Sequence, residues 1–460
     1  MKTILVVVTQ GLVCRNFMRS GVLTRLLQDE EVRVVVLFPP GIPEDLRQEF
    51  SHPRLILDEI PLLTYSSLRG RLFHPFSRNL LFSRTRRNLM KYGSGKLKRY
   101  SLFRYYAACL FFWPLSHVRW LKTLVEWIEE HVFLDKEVAP FFEKYKPDCA
   151  VELSLLSKED VAIVKNAKRL GIPTLGMAKG WDTLDKFHFE VKPDVLAVQN
   201  ACMTRFALKY HDYKKEQIQL VGFPLFDLYQ DPQHVWTRER TCAALGLDPT
   251  RPYIIYGSEG VWSKDELPVV ERLTEWIQQD ALGPCSLVIR PYFGFVKDHP
   301  FKHLGQLPHV VLDDQHRIRK FFKDGWDPSF EEMIQFINVL RHSAGVVCVR
   351  STLSLDAAVL DKPVINLGYQ AYIDDRGRDS TLDFYNVEFY QDVLKTGGVE
   401  LVRDESALLR ALQEMLAHPE RKREERRRLV EDLCYKVDGH SAERLAQAIL
   451  ACASRHQAHG

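Results

Sequence analysis

Short apolar runs and helix-length segments alternate along this chain twice over, and that doubled rhythm restricts its fold more than any other feature. The runs at 4–8 and 32–38, with a helix-like stretch at 16–28 between them, make a βαβ opening. Further runs follow at 149–153, 174–177, 195–198 and 218–221, with helices expected at 157–170 and 201–210. The rhythm halts at Gly222-Phe223-Pro224 and crosses a polar stretch at 229–251. It resumes with strands expected at 253–257, 286–290, 310–312, 345–349 and 364–367. Two α/β halves joined near 224–250 imply a cleft between them, since parallel sheets take ligands at the carboxyl ends of their strands. With 460 residues and 46% hydrophobic content, the chain can fill two such cores. Beyond residue 408 it reads as helical throughout, and the charged run 420–428 reads as a solvated helix face.

The segment 346–369, VVCVRSTLSLDAAVLDKPVINLGY, holds a strand, a hydroxyl-bearing turn and a helix start. Ser351 and Thr352 fall where the helix expected at 353–360 begins, so two hydroxyls, free N–H groups and the positive end of a helix dipole meet at one spot. That combination suits a phosphate, although helix capping alone also selects Ser and Thr. Asp356 lies about one turn further on, within reach of the sugar hydroxyls of a nucleotide whose diphosphate sits at the turn. Lys362-Pro363 ends the helix before the next strand.

This order of Ser-Thr, an acid five positions after the Ser and a Pro seven beyond the acid resembles the donor-site motif of GT-B glycosyltransferases. Four further segments are similar to one branch of that superfamily, the capsule-polysaccharide and CDP-glycerol glycerophosphotransferase-like proteins. They are Gly180-Trp181-Asp182-Thr183-Leu184 with the later Lys192-Pro193-Asp194, residues 218–227, residues 406–419, and residues 438–444. Together they span roughly 175–450 in the family's order. The resemblance implies an α/β GT-B fold, two Rossmann-like domains facing each other across a cleft. On that reading an acceptor domain occupies 1–228 with a basic, aromatic insertion at about 60–125, and a nucleotide-donor domain occupies 250–430. Residues 431–460 then form a C-terminal helix that packs back on the first domain. The chain departs from the family at Asp356, where Glu is usual, at Arg290-Pro291-Tyr292-Phe293, where Arg-Pro-His-Pro is common, and at Asp361, where Gly precedes Lys-Pro. Loss of that His favours sugar transfer over glycerol-phosphate transfer.

Glycosyl transfer from a nucleoside diphosphate needs a stabilised leaving phosphate and, for inversion, a base. Ser351, Thr352, Asp356 and Arg290 are the donor-binding candidates, with Ser258 and Glu259 in the Gly257-Ser258-Glu259-Gly260 loop after the first strand of the second half. Arg290 also fits a surface salt bridge. Asp182 is the candidate base, though an Asx-turn would use it equally well, and His74 is a second. Arg15, Asn16 and Trp181 are candidates for acceptor binding. The resemblance implies a nucleotide-activated donor as substrate, no cofactor and no metal, in keeping with the lack of a D-x-D motif. Within the same fold, a CDP-alcohol-dependent polyol-phosphate transferase or a nucleotide-sugar epimerase is an alternative. So is a non-catalytic scaffold for glycan assembly.

Nine cysteines are scattered without a C-x-x-C pair, which suits free thiols in a reducing cytosol. The net charge of +3 implies no nucleic-acid partner, yet its distribution is uneven. Between Glu59 and Glu126 there is no acid, while Arg and Lys occur thirteen times among aromatic residues. The run 102–115, LFRYYAACLFFWPL, is too short to span a bilayer and suits an interface with anionic headgroups. The expectation is a cytoplasmic protein, peripheral on the membrane, whose acceptor is a glycan or is linked to polyprenyl phosphate.

Overall fold

The computed structural model of the chain describes residues 1–457 apart from 66–67, 94–98, 261–262, 264, 295–298, 315 and 375–376. Its first sheet has seven parallel strands: β1 (Lys2–Val7), β2 (Val32–Phe38), β3 (Leu55–Glu59), β4 (Cys149–Glu152), β5 (Thr174–Met177), β6 (Val195–Val198) and β7 (Ile218–Leu220). They run in the order β3-β2-β1-β4-β5-β6-β7. The second sheet has six: β8 (Tyr253–Gly257), β9 (Ser286–Arg290), β10 (Val310–Leu312), β11 (Gly345–Cys348), β12 (Val364–Leu367) and β13 (Glu400–Val402). Their order is β10-β9-β8-β11-β12-β13, again parallel throughout. Continuous runs such as VRVVVLF in β2 form these strands because helices cover both faces of a parallel sheet. Each sheet reverses its strand order at one point, between β1 and β4 and between β8 and β11, and the crevices at those two points face each other.

Three elements differ from the sequence reading. The helix expected at 16–28 is two helices, Gly11–Phe17 and Val22–Gln28, because Gly21 turns the chain with φ of +90°. The edge strands β3 and β13 carry no strong apolar alternation; one is half-exposed along its length and the other is three residues long. The charged run 420–428 is not wholly solvated. Arg426 is buried there and its Nε donates to Asp361 Oδ1 at 2.9 Å, while Arg423 Nε reaches Asp361 Oδ2 at 2.8 Å. Asp361 adopts φ of +54°, the left-handed conformation that explains why glycine is common at this position, and its carboxylate serves that ion pair rather than the cleft.

Residues 69–92 and 102–145 hold a set of helices between β3 and β4. The last helix, Ser441–Gln457, lays Leu445, Ile449 and Cys452 against Ile4, Val6 and Val34 of the first sheet. Leu196, Val198 and Phe206 share one continuous core with Tyr253, Val346 and Tyr390, so the two halves are packed together on one side of the cleft.

Candidate functional site

A cleft of about 1110 Å³ lies between the sheets, lined by the loops that leave β1, β5, β8, β9 and β11. Its second-half wall is built on the turn after β11. Ser351 Oγ accepts the Leu353 N–H at 3.2 Å, and the helix Leu353–Val359 starts with its first-turn N–H groups beside both hydroxyls. Strand β8 approaches this turn so closely that a Cβ on Gly257 would sit 2.2 Å from Leu353 Cδ2, which is why the loop begins with glycine. Glu259, two residues on, lines the cleft together with Ser351. Asp356 is buried and accepts the Tyr229 hydroxyl at 2.6 Å. Burial raises its pKa, against the pull of Tyr229, Arg15 and Arg290.

Cations ring this turn. Arg290 pairs with Asp313, and its guanidinium lies over the Phe336 ring at 4.2 Å. Arg15 rests 5.0 Å from the Trp326 ring centre and is held by Asn16, whose Oδ1 accepts Nε at 3.0 Å while its Nδ2 donates to the Lys179 carbonyl at 3.3 Å. Lys179 Nζ donates to Gln10 Oε1 at 3.0 Å. Arg350 donates to the Phe384 carbonyl and lies 5.5 Å from the Phe389 ring centre. Among the described residues, no carboxylate forms an ion pair with Arg15, Lys179 or Arg350, and burial lowers the pKa of all three. Asp182, Asp324, Asp356 and Glu259 act on these cations without a contact ion pair, which leaves their N–H groups open to a further anion.

On the opposite wall Asp182 accepts Lys186 Nζ, four residues later. Burial raises its pKa, but Lys186, Arg350 and Lys179 together pull it below the usual carboxylate value. His316 also lines the cleft, with Nε2 at 3.0 Å from the Pro291 carbonyl. A carbonyl only accepts, so Nε2 carries the hydrogen and Nδ1 is left as an acceptor; burial lowers the pKa of the ring.

Ser351, Thr352, Asp356, Arg290, Ser258, Glu259, Arg15, Asn16, Trp181 and Asp182 all line this one cleft. His74 does not. Its Nδ1 lies 2.6 Å from Glu190 Oε1 and its ring packs 4.8 Å from Tyr65, so it belongs to the helical insertion and cannot act as base in the cleft. Trp181 is no open platform for an acceptor: it is 2% exposed, edge-on to Phe389, and its Nε1 donates to Thr352 Oγ1 at 3.2 Å across the cleft. Ser258 turns its hydroxyl inward to Glu266 Oε2 at 2.5 Å and shapes the loop. Sequence reasoning missed Arg350, Lys179 and His316. The only signal for Arg350 is that it directly precedes the Ser-Thr pair.

The architecture has solved relatives over its full length. UDP-GlcNAc 2-epimerase from Neisseria meningitidis bound to UDP-GlcNAc superposes with a TM-score of 0.57 at 13% identity, covering 98% of this chain and 100% of that one. The S. aureus MnaA-UDP co-structure gives 0.52 at 12% identity, over 98% and 96%. The wall teichoic acid polymerase TagF, in a variant soaked with CDPG, gives 0.53 at 11% identity, over 99% and 90%. The fold is GT-B. Within this GT-B chain, residues 350–451 match the model of the CDP-Glycerol:Poly(glycerophosphate) glycerophosphotransferase family. That match begins at Arg350, so it takes in the whole hydroxyl turn and the last helices. No curated protein matches the chain by sequence.

Proposed function

We propose that this protein is a transferase that uses a nucleotide-activated donor in the synthesis of a cell-surface polymer, moving a sugar from a nucleoside diphosphate to a surface glycan or lipid-linked acceptor. The observation that carries the reading is that Arg15, Lys179 and Arg350, which have no ion-pair partner among the described residues, line the same cleft as the Ser351-Thr352 turn. In the reaction the acceptor oxygen attacks the sugar carbon, the bond from that carbon to the phosphate oxygen breaks, and the diphosphate leaves with the electron pair. The cations and hydroxyls offset its charge without a metal, and Asp182 takes the acceptor proton. Tyr292, in place of the family's His, supports sugar over glycerol-phosphate transfer. Calorimetric titration with UDP-GlcNAc and CDP-glycerol, followed by turnover in EDTA, tests the proposal. Loss of activity in the chelator that magnesium or manganese restores would replace the metal-free route. Donor consumption without an acceptor would mean epimerisation, and binding without any turnover a scaffold.

The second part of the proposal is that the protein docks on an anionic membrane surface to reach a lipid-linked acceptor. Among the described residues no helix is long and apolar enough to cross a membrane. The helix Leu102–Leu115 nevertheless turns Phe103, at 84% exposure, and Leu110, at 82%, to solvent, beside the exposed Trp113 and, on the next helix, Trp120. Arg71, Arg87, Lys91, Arg104 and Arg119 are exposed nearby, each worth about 1 kcal/mol close to anionic headgroups. The thirteen cations of the sequence do not all serve this surface: Arg69 and Lys122 are buried against Glu129 and Asp212, and Arg86 against Asn79. Co-sedimentation with phosphatidylserine-containing liposomes is expected to fall with salt and with Phe103→Ser, Leu110→Ser and Trp113→Ser combined. Indifference of the wild-type protein to such liposomes at low salt would leave a soluble acidic glycan as the better acceptor.

A further inference from the structure

A nucleoside diphosphate held at the Ser351 turn would meet a carboxyl group there, that of Glu259. The Glu259 loop is fixed from behind: its N–H donates to Glu266 Oε1 at 3.0 Å, Ser258 Oγ donates to Glu266 Oε2, and the Gly260 N–H donates to Ser258 Oγ at 3.1 Å. Glu259 is therefore held against the turn and cannot swing away with its loop. Its side chain lines the same cleft as the Ser351 and Thr352 hydroxyls that the donor phosphates need. We infer that Glu259 contacts the donor as the neutral acid, so that donor binding draws a proton from solvent onto this side chain. This rests on the donor reading above and adds to it a proton-linked affinity.

The charged and titratable groups around Glu259 come from every neighbouring element. Glu266 lies behind it, Arg350 beside Ser351 on the turn, and Asp182 with Lys186 on the facing wall; Tyr256, Cys348, Tyr385 and Tyr390 complete the shell. Lys186 is paired with Asp182, and Arg350 acts on both Asp182 and Glu259. Burial raises Glu259 to about 7, with Ser351 and Arg350 opposing and Asp182 adding to the rise. An arriving diphosphate brings more negative charge to the same hydroxyl and competes for the same Arg350, and both effects favour the protonated form. As the acid, Glu259 donates its O–H to a phosphate oxygen; as the carboxylate, it repels it.

The sign follows from linkage: affinity is greatest below the pKa of the free side chain and falls as pH rises through it, by about tenfold per pH unit for one proton. UDP-GlcNAc and CDP-glycerol are suitable probes, because a diphosphate ester has no phosphate oxygen that titrates near neutral pH. Calorimetry at pH 8 in buffers of differing ionisation enthalpy should show uptake of about one proton per donor bound. Glu259→Gln should bind with neither proton uptake nor this pH dependence, and more tightly than wild type at pH 8.5. Wild-type binding without proton uptake overturns the inference and leaves the donor reading intact, and this measurement needs no variant to fold. Uptake that persists in Glu259→Gln also overturns it. Failure of either ester to bind at any pH overturns the donor reading itself and this inference with it.

Discussion

Ser351 and Thr352 occupy different positions in the proposed donor site. Ser351 accepts the Leu353 N–H, whereas Thr352 is tied across the cleft to Trp181. Replacing both with Ala should weaken nucleoside diphosphate binding by about 1 to 3 kcal/mol, the scale of hydrogen bonds to charged groups; an unchanged dissociation constant in the folded variant would remove the turn from the donor site. Asp182, kept ionised through neutral pH by Lys186, Arg350 and Lys179 despite its burial, faces the cleft from the other wall. Asp182→Asn should lower kcat with donor affinity retained, and unaltered turnover would pass the role of base to His316. The hydroxyl turn was legible in the sequence because its parts are contiguous, so strand, hydroxyls and helix start all announce themselves locally. Lys179, His316 and Arg350 were not, since what brings them together is the adjacency of strand ends in two separate sheets. His74 shows the converse limit: a lone His among Arg and aromatic residues carries no information about which cavity it faces, and here it pairs with Glu190 outside the cleft lining.

One loop of the second half works as an element of the first. Residues 317–328 cross to the other sheet, where Asp324 accepts the Gly11 and Leu12 N–H groups at 2.8 and 3.0 Å and the Lys323 N–H donates to the Thr9 carbonyl at 3.1 Å. Gly11 is obligatory at this crossing, for a Cβ there would overlap the Trp326 carbonyl. At the centre lies Asp327, fully buried, within 2.6 Å of Arg19 Nη1, 2.5 Å of Arg319 Nε and 3.0 Å of Arg317 Nη2. Asp327→Asn would leave three guanidinium groups around a neutral amide, and breaking a buried ionic cluster from one side costs about 3 to 5 kcal/mol. Urea unfolding should show that loss, while a wild-type midpoint in the variant would mean that the crossing is open in solution. None of this could be read from the sequence, because 317–328 has neither strand nor helix periodicity. The same limit hid β3 and β13, whose edge positions demand little apolar alternation.

At the scale of the whole molecule, the two sheets share a core on one side and the crossing loop on the other, so the cleft is enclosed by buried polar groups drawn from both halves. Burying carboxyl groups makes stability depend on pH. Burial lifts Asp160, Asp185 and Glu259 to about 7 and Glu266 to about 8. For a carboxyl raised in the folded state, the stability it contributes is complete below its unfolded pKa and is lost as pH rises through the folded value. Buried histidines oppose this on the acid side: His211, His316 and His342 are all lowered by burial, so their contribution is lost as pH falls below the usual histidine value of about 6.5. Carboxyls held low, such as Asp45 at about 2 beside Arg319, matter only at still lower pH. Below about pH 6.5 the histidine and raised-carboxyl effects offset each other; above it the histidine effect is gone and the raised carboxyls continue to titrate. The melting temperature should therefore fall between about pH 6.5 and 8.5, measured by circular dichroism at constant ionic strength. Asp185→Asn, which keeps the contact with Thr85 but has no charge to bury, should flatten that fall. A melting temperature that holds steady or rises across this window would show that these carboxyls are solvated in the folded protein.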